Sequence, residues 1–162
     1  VRALAERVLA DHDRLDVLVN NAGIWLEGPR RLSEDGHELH FQVNYLSGFL
    51  LTRLLLPRLR SSAPARIVNV ASIAQSPIDF DDVMLTRGNS GTRAYCQSKL
   101  AQVMFAFDLN EELTGSGVTA CALHPATYMD TTMVRTAGRT PASTGLSAAI
   151  ARSCPCAAIR PS

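Results

Sequence analysis

Leu15-Asp16-Val17-Leu18-Val19-Asn20-Asn21-Ala22-Gly23 is the stretch that decides how this chain folds. A short apolar run ends in a breaker of two asparagines, an alanine and a glycine. Runs of this length, bounded in this way, fit the buried strands of a parallel sheet. Two more follow. Ala65 to Ala71 carries Ile67, Val68 and Val70 and closes on Ser72, and Val118 to Leu123 ends at His124-Pro125. Segments of helical period separate them. Phe41, Val43, Leu46, Leu50 and Leu54 recur at about helical spacing, with Pro57 late in the segment and a loop at Ser61-Ser62-Ala63-Pro64. Thr92 to Leu113 reads as a helix with Leu100, Val103, Met104 and Phe107 toward the core, stopped by Gly115-Ser116-Gly117. Val1 to Asp11 reads as a helix with Leu4, Val8 and Leu9 on one flank. Ser33-Glu34-Asp35 reads as the opening of another, its first turn weakened by Gly36.

Strand, helix, strand, helix, strand at this spacing predicts an α/β fold. Right-handed crossovers would build a parallel sheet with helices on both faces. Ligands of such sheets bind beyond the carboxyl ends of the strands. Asn20, Ser72 and His124 all fall there. Ser76 to Gly91 has no period and contains Pro77, Asp79, Asp81, Asp82 and Gly88, so it reads as a long loop of the kind kept for function.

The bulk numbers narrow the classes. The chain has 162 residues, 46% of them hydrophobic, enough for one domain with a core and too apolar for disorder. Lys and Arg number 16 against 15 Asp and Glu, so nothing calls for nucleic acid or an anionic membrane. Apolar runs are short or interrupted by charge, and no membrane span is expected. Cys96, Cys121, Cys154 and Cys156 form no disulfide framework, and no secretory leader precedes them. Cys154-Pro155-Cys156 has no matching second pair for zinc and lacks the usual two-residue redox spacer. His12, His37 and His40 make no metal-ligand pattern, so no metal is expected. A reducing, cytoplasmic setting is the default.

Tyr95 and Lys99 stand one helical turn apart in Tyr95-Cys96-Gln97-Ser98-Lys99 and share a face. A phenol titrates near pH ~10, and a nearby cation favours the phenolate. Ser72 can donate to a carbonyl or alkoxide oxygen held beside Tyr95. The three make a proton-transfer and oxygen-binding set. By spacing alone, a tyrosine and a lysine on a helix are more often ordinary surface residues.

The combination resembles the short-chain dehydrogenase/reductase family, from about Leu15 to Met133. Asn20-Asn21-Ala22-Gly23 matches its strand-four motif, and Asn44 in Phe41-Gln42-Val43-Asn44 its active-site asparagine. Ser72 in Val68-Asn69-Val70-Ala71-Ser72 matches the catalytic serine, and Tyr95 with Lys99 the tyrosine–lysine pair. The resemblance implies an NAD(P)-dependent oxidoreductase that moves hydride between nicotinamide and an alcohol or carbonyl substrate, with NAD or NADP left open. Tyr95 would be the general acid or base. Lys99 would hold the nicotinamide ribose and lower the tyrosine pKa. Ser72 would orient the substrate oxygen, and Asn44 would bind a water linking Lys99 to a proton relay. Asn20, Ala22 and Gly23 would support the sheet beside the cofactor. Pro125 and Thr127 resemble the segment after strand six, with Ala126 where the family often has glycine; Thr131 and Thr132 are further candidate donors. Phe80-Asp81-Asp82 and Tyr95 to Ala101 look closest to the retinol-dehydrogenase-like branch. The loop around Asp79 to Gly91 would then shape the substrate pocket. Trp25 and Leu26 either line the same region or simply pack.

The family normally opens with a strand, a glycine-rich turn that takes the pyrophosphate, and a helix. No Gly-x-x-x-Gly-x-Gly run occurs here. The resemblance therefore implies a partial Rossmann-like three-layer fold with a parallel sheet, lacking the first βαβ glycine-rich unit and the last strand. Residues 1–136 would be the partial catalytic domain and residues 137–162 an irregular or atypical tail. Truncation at the N-terminus, and at the C-terminus too, is the expectation, with weak or no activity in this piece alone. The alternatives are a non-catalytic binding protein and a dimerisation module, a homodimer using the helices around Asn44 and Tyr95.

Overall fold

The computed structural model describes residues 1–125. Ala126, Thr127, Thr131, Thr132 and the tail 137–162 lie outside the described residues. The order is α1 (Arg2–Asp11), β1 (Val17–Asn20), a π-helical segment (Phe41–Leu46) running directly into α2 (Ser47–Ser61), β2 (Ala65–Val70), α3 (Gly91–Glu112) and β3 (Val118–Leu123). The three strands form one parallel sheet in the order β1-β2-β3. The expected strand, helix, strand, helix, strand path is present.

One core joins every element. Leu18 of β1, Ala65 and Ile67 of β2, and Val118 and Ala120 of β3 point to the same side. Ala5 of α1, Leu55, Leu56 and Leu59 of α2, and Phe105, Ala106, Leu109 and Leu113 at α3 meet them there. An aromatic group extends the core toward the site: Phe49 lies 4.9 Å from Phe105 and Tyr45 lies 5.1 Å from Phe41, centroid to centroid. Among the described residues all three helices pack on this face. The architecture is the α/β, partial Rossmann-like fold that the sequence implies, a parallel sheet flanked by helices. The other face presents Val17, Val19, Val68, Val70 and Leu123, with Val17 and Val19 each about half exposed.

Four local readings are corrected. Ser33-Glu34-Asp35 opens no helix. Its hydroxyl accepts from His37 N, Gly36 takes φ 80°, and Leu32 bridges Glu38 in a tight turn. Gly36 lets the chain reverse there instead of continuing as a helix. In α1 it is Ala5, with Val8 and Leu9, that faces the core, while Leu4 points to water.

In α3 the apolar stripe was placed on the wrong face. Met104 is 39% and Phe107 70% exposed, while Gln97, Ser98, Lys99 and Gln102 are buried. Periodicity of hydropathy fails here because the buried face is the one that carries the polar site. The helix from Phe41 also drifts from its expected stripe. A π turn holds more residues than an α turn, so Thr52, Leu55, Leu56 and Leu59 become the inward set.

Leu59 has no exposed surface and sits in the core where α2 packs on β1 and β2. Leu59→Ala should lower unfolding free energy by about 2–5 kcal/mol, read as a lower urea midpoint. A midpoint within error of the parent chain would show that this core does not hold the chain together.

Candidate active site

The site lies beyond the carboxyl ends of the strands, where β1 and β2 hand over to loops. Its frame is a buried amide. Asn44, in the widened π turn, accepts from Ile24 N at 2.7 Å and donates to Ile24 O at 3.1 Å. The same amide nitrogen donates to Ser98 Oγ at 2.9 Å, and Ser98 Oγ donates to Tyr95 O at 2.7 Å. The segment after β1, the π turn and the first turns of α3 are thereby tied at one point. π bulges within helices are frequent at functional sites. With its amide engaged on three atoms, Asn44 serves as a clamp.

Tyr95 and Lys99 leave α3 on the face toward β2, as their spacing requires. Lys99 Nζ donates to Val70 O and to Gln102 Oε1, both at 2.9 Å, and lies 5.6 Å from the centre of the Tyr95 ring. Ser72, the second residue past β2, lies close enough to Tyr95 for its side chain to draw the phenol's pKa down. It also accepts from Ala74 N at 3.1 Å. Ser72, Tyr95 and Lys99 thus meet in one cleft.

The electrostatics differ from the sequence expectation. Burial pushes the Tyr95 phenol above 10.0, and the hydrogen bond from Ser72 only partly opposes this. Burial also pushes Lys99 down, to about 8. The phenol is thus raised where the sequence expectation has it lowered, and the Lys99 amine is turned toward Val70 O and Gln102. Desolvation disfavours both charged forms together, so the phenol is held protonated.

Gly23 closes the cleft. A Cβ there would sit 3.4 Å from both Lys99 Nζ and Asn44 Oδ1, filling the space above them. Asn20 faces inward instead: its amide donates to Thr52 Oγ1 and Asn69 Oδ1, each at 2.9 Å, and ties β1 to β2 and α2. Ala22 precedes Gly23 in the same turn, and Pro125 is exposed just past β3.

Trp25, which the sequence left between lining this region and packing, stacks on Tyr95 with ring centres 5.5 Å apart. Other residues escaped sequence reasoning. Gln97, fully buried, accepts from Asp79 N and donates to Val83 O, and Arg93 pairs with Asp79 at 3.0 Å. These contacts fix the loop before α3. Ser98 and Gln97 lay inside the quoted run, but nothing in their spacing announced their partners. Among the described residues no cluster of three or more His, Cys, Asp or Glu is placed to hold a metal ion. No described helix is long and apolar enough to cross a membrane.

The lysine supplies a test. Between about 8 and 10.5 the unfolded chain keeps the proton that folded Lys99 has released, so stability rises with pH across that window. Below it the amine is charged in both states and its burial cost is present in full. The urea midpoint should therefore climb from pH ~8 toward pH ~10, and Lys99→Met should abolish the climb. An equal climb in Lys99→Met would remove Lys99 as its source.

A family model described as short chain dehydrogenase matches residues 1–142. Human retinol dehydrogenase 13 is 48% identical over 128 residues, covering 77% of this chain and 38% of that protein. A solved structure of an uncharacterised protein from Mycobacterium paratuberculosis is 35% identical with a TM-score of 0.68, covering 93% of this chain and 54% of that one. The RhlG/NADP active-site complex of Pseudomonas aeruginosa is 30% identical with a TM-score of 0.67, covering 91% and 56%. The chain spans about two-fifths of the length of the curated retinol dehydrogenases it matches. With the strand-end asparagine turn, the clamped π segment and the serine–tyrosine–lysine cleft already in place, these likenesses settle the lineage: the chain belongs to the short-chain dehydrogenase family, in its retinol-dehydrogenase-like branch.

Proposed function

We propose that residues 1–136 are the proton-transfer part of an NAD(P)-dependent oxidoreductase acting on an alcohol or carbonyl substrate. The observation that carries this is the single cleft shared by Ser72, Tyr95 and Lys99. Its raised pKa leaves the phenol protonated, the state needed to deliver a proton to a carbonyl oxygen as that oxygen gains charge. Ser72 holds the same oxygen by its hydroxyl. Lys99 provides an amine above which Gly23 leaves room for a ribose. Pro125 and Thr127, which follow β3 in the sequence, are the candidates for contact with a nicotinamide amide. The cofactor, when bound, supplies the hydride; the chain supplies the proton and the orientation. The Pseudomonas relative in its NADP complex supports the cofactor class and leaves NAD against NADP open.

These 162 residues contain no glycine-rich turn for the pyrophosphate. We expect calorimetry of the chain with NAD or NADP to give at most weak heats; tight stoichiometric binding would defeat the view that the phosphate end is held elsewhere. In a protein with the complete dehydrogenase fold around this cleft, Tyr95→Phe should cut turnover by at least about 10²-fold. Unchanged turnover would eliminate Tyr95 as the acid or base.

A second reading rests on α3. Met104 and Phe107 form an apolar patch on its outer face, as a dimerisation module would. Sedimentation equilibrium decides it: a homodimer that Phe107→Glu converts to monomer supports this reading, and a monomeric parent chain rejects it.

A further inference from the structure

Glu38 and His40 form a buried pair that the chemistry above does not use. His40 Nδ1 lies 2.8 Å from Glu38 Oε1, and Glu38 Oε2 accepts from Phe41 N at 2.8 Å. His40 Nε2 accepts from Leu26 N at 2.9 Å. That last bond fixes the tautomer. A nitrogen that accepts an amide hydrogen carries none, so Nδ1 bears the proton and donates it to Glu38. Both side chains are almost wholly buried, and Glu38 is held ionised: burial opposes its charge, but the bonds from His40 and Phe41 outweigh it.

The bond to Leu26 ends at a residue whose neighbour touches the reacting phenol. Trp25 stacks on the Tyr95 ring, and its Nε1 donates to Glu27 Oε1, which also accepts from Thr92 Oγ1. On its other side the Leu26 carbonyl lies against Gly91, where any Cβ would overlap it. Ile24 is already clamped by Asn44. The stretch from Ile24 to Glu27 is thus gripped residue by residue, and its one large side chain lies flat on Tyr95.

We propose that Glu38 and His40 are positioning residues, which hold Trp25 against Tyr95 through the Leu26 amide and so fix the rotamer of the phenol and keep water off its ring face. The proposal rests on the reading of Tyr95 as the proton donor. Its test does not, because the chain has one tryptophan and its emission reports Trp25 directly.

The 162-residue chain should show blue-shifted emission and weak quenching by acrylamide. In His40→Phe, which keeps a ring and loses both nitrogens, emission should shift to the red and the quenching constant rise at least about twofold as the segment opens. Far-UV circular dichroism should stay unchanged. Glu38→Gln keeps the side-chain shape but leaves one of two donors unmatched, and should move both readouts in the same direction. It carries the test if His40→Phe does not fold.

A folded variant with a lower Tm but unchanged emission and quenching would overturn the proposal, since the pair would then only support the core. In a turnover assay of the complete fold, His40→Phe should lower kcat with little change in KM. Tyr95→Phe should leave Trp25 emission unmoved, so an unaffected turnover there would discard the catalytic reading without touching this one.

Discussion

The amide of Asn44 is the contact on which the rest of the site depends. It is buried, makes three hydrogen bonds, and reaches two segments far apart in sequence. Removing it would leave Ile24 N, Ile24 O and Ser98 Oγ short of partners inside a low-dielectric pocket, where each unmet group costs about 1–3 kcal/mol. A π turn is a rare way to place one side chain, and such turns are frequent at functional sites. Its use here lies in the reach it gives. The Asn44 amide comes inward beside Gly23 while Tyr45 and Phe49 keep their packing on Phe105. The same few residues therefore serve the core and the cleft.

Within that frame, desolvation governs the chemistry. An exposed tyrosine and lysine one turn apart would share charge through Coulomb attraction. Here both are drawn from water, and the amine turns to Val70 O and Gln102. The phenol rises and the amine falls. A site in this state is set as a neutral acid. Ser72 is the group that opposes this, so the serine tunes the phenol.

The order of strands and helices was legible because each strand is a short apolar run with a sharp end, and Asn20, Ser72 and Pro125 mark those ends. The cleft residues were legible from their motifs. The faces of the helices were not. On α3 the inward face carries Gln97, Ser98, Lys99 and Gln102, so a reading that equates apolar with buried turns the helix around and sends Met104 and Phe107 the wrong way. On the segment from Phe41 the π turn adds a residue that no period of 3.6 contains. The pair Glu38 and His40 was invisible for a different reason. From sequence His40 reads only as a candidate metal ligand, whereas its partners are a carboxylate two residues away and the backbone amide of Leu26.

The open face of the sheet completes the physical picture. Parallel sheets are normally covered on both faces because their strands are apolar on both. β1 obeys the rule in sequence, with valines at 17 and 19 as well as Leu18, yet among the described residues only the Leu18 side is covered. The site needs only the covered side. Asn44, Lys99 and Tyr95 all reach the cleft from helices on that face, and their hydrogen bonds run to β2 or to the segment after β1. The arrangement of Tyr95, Lys99 and Asn44 is thus determined by a single helical layer on three strands. Whatever layer meets the other face can vary without disturbing it, since none of the bonds that place the phenol, the amine or the clamp crosses the sheet.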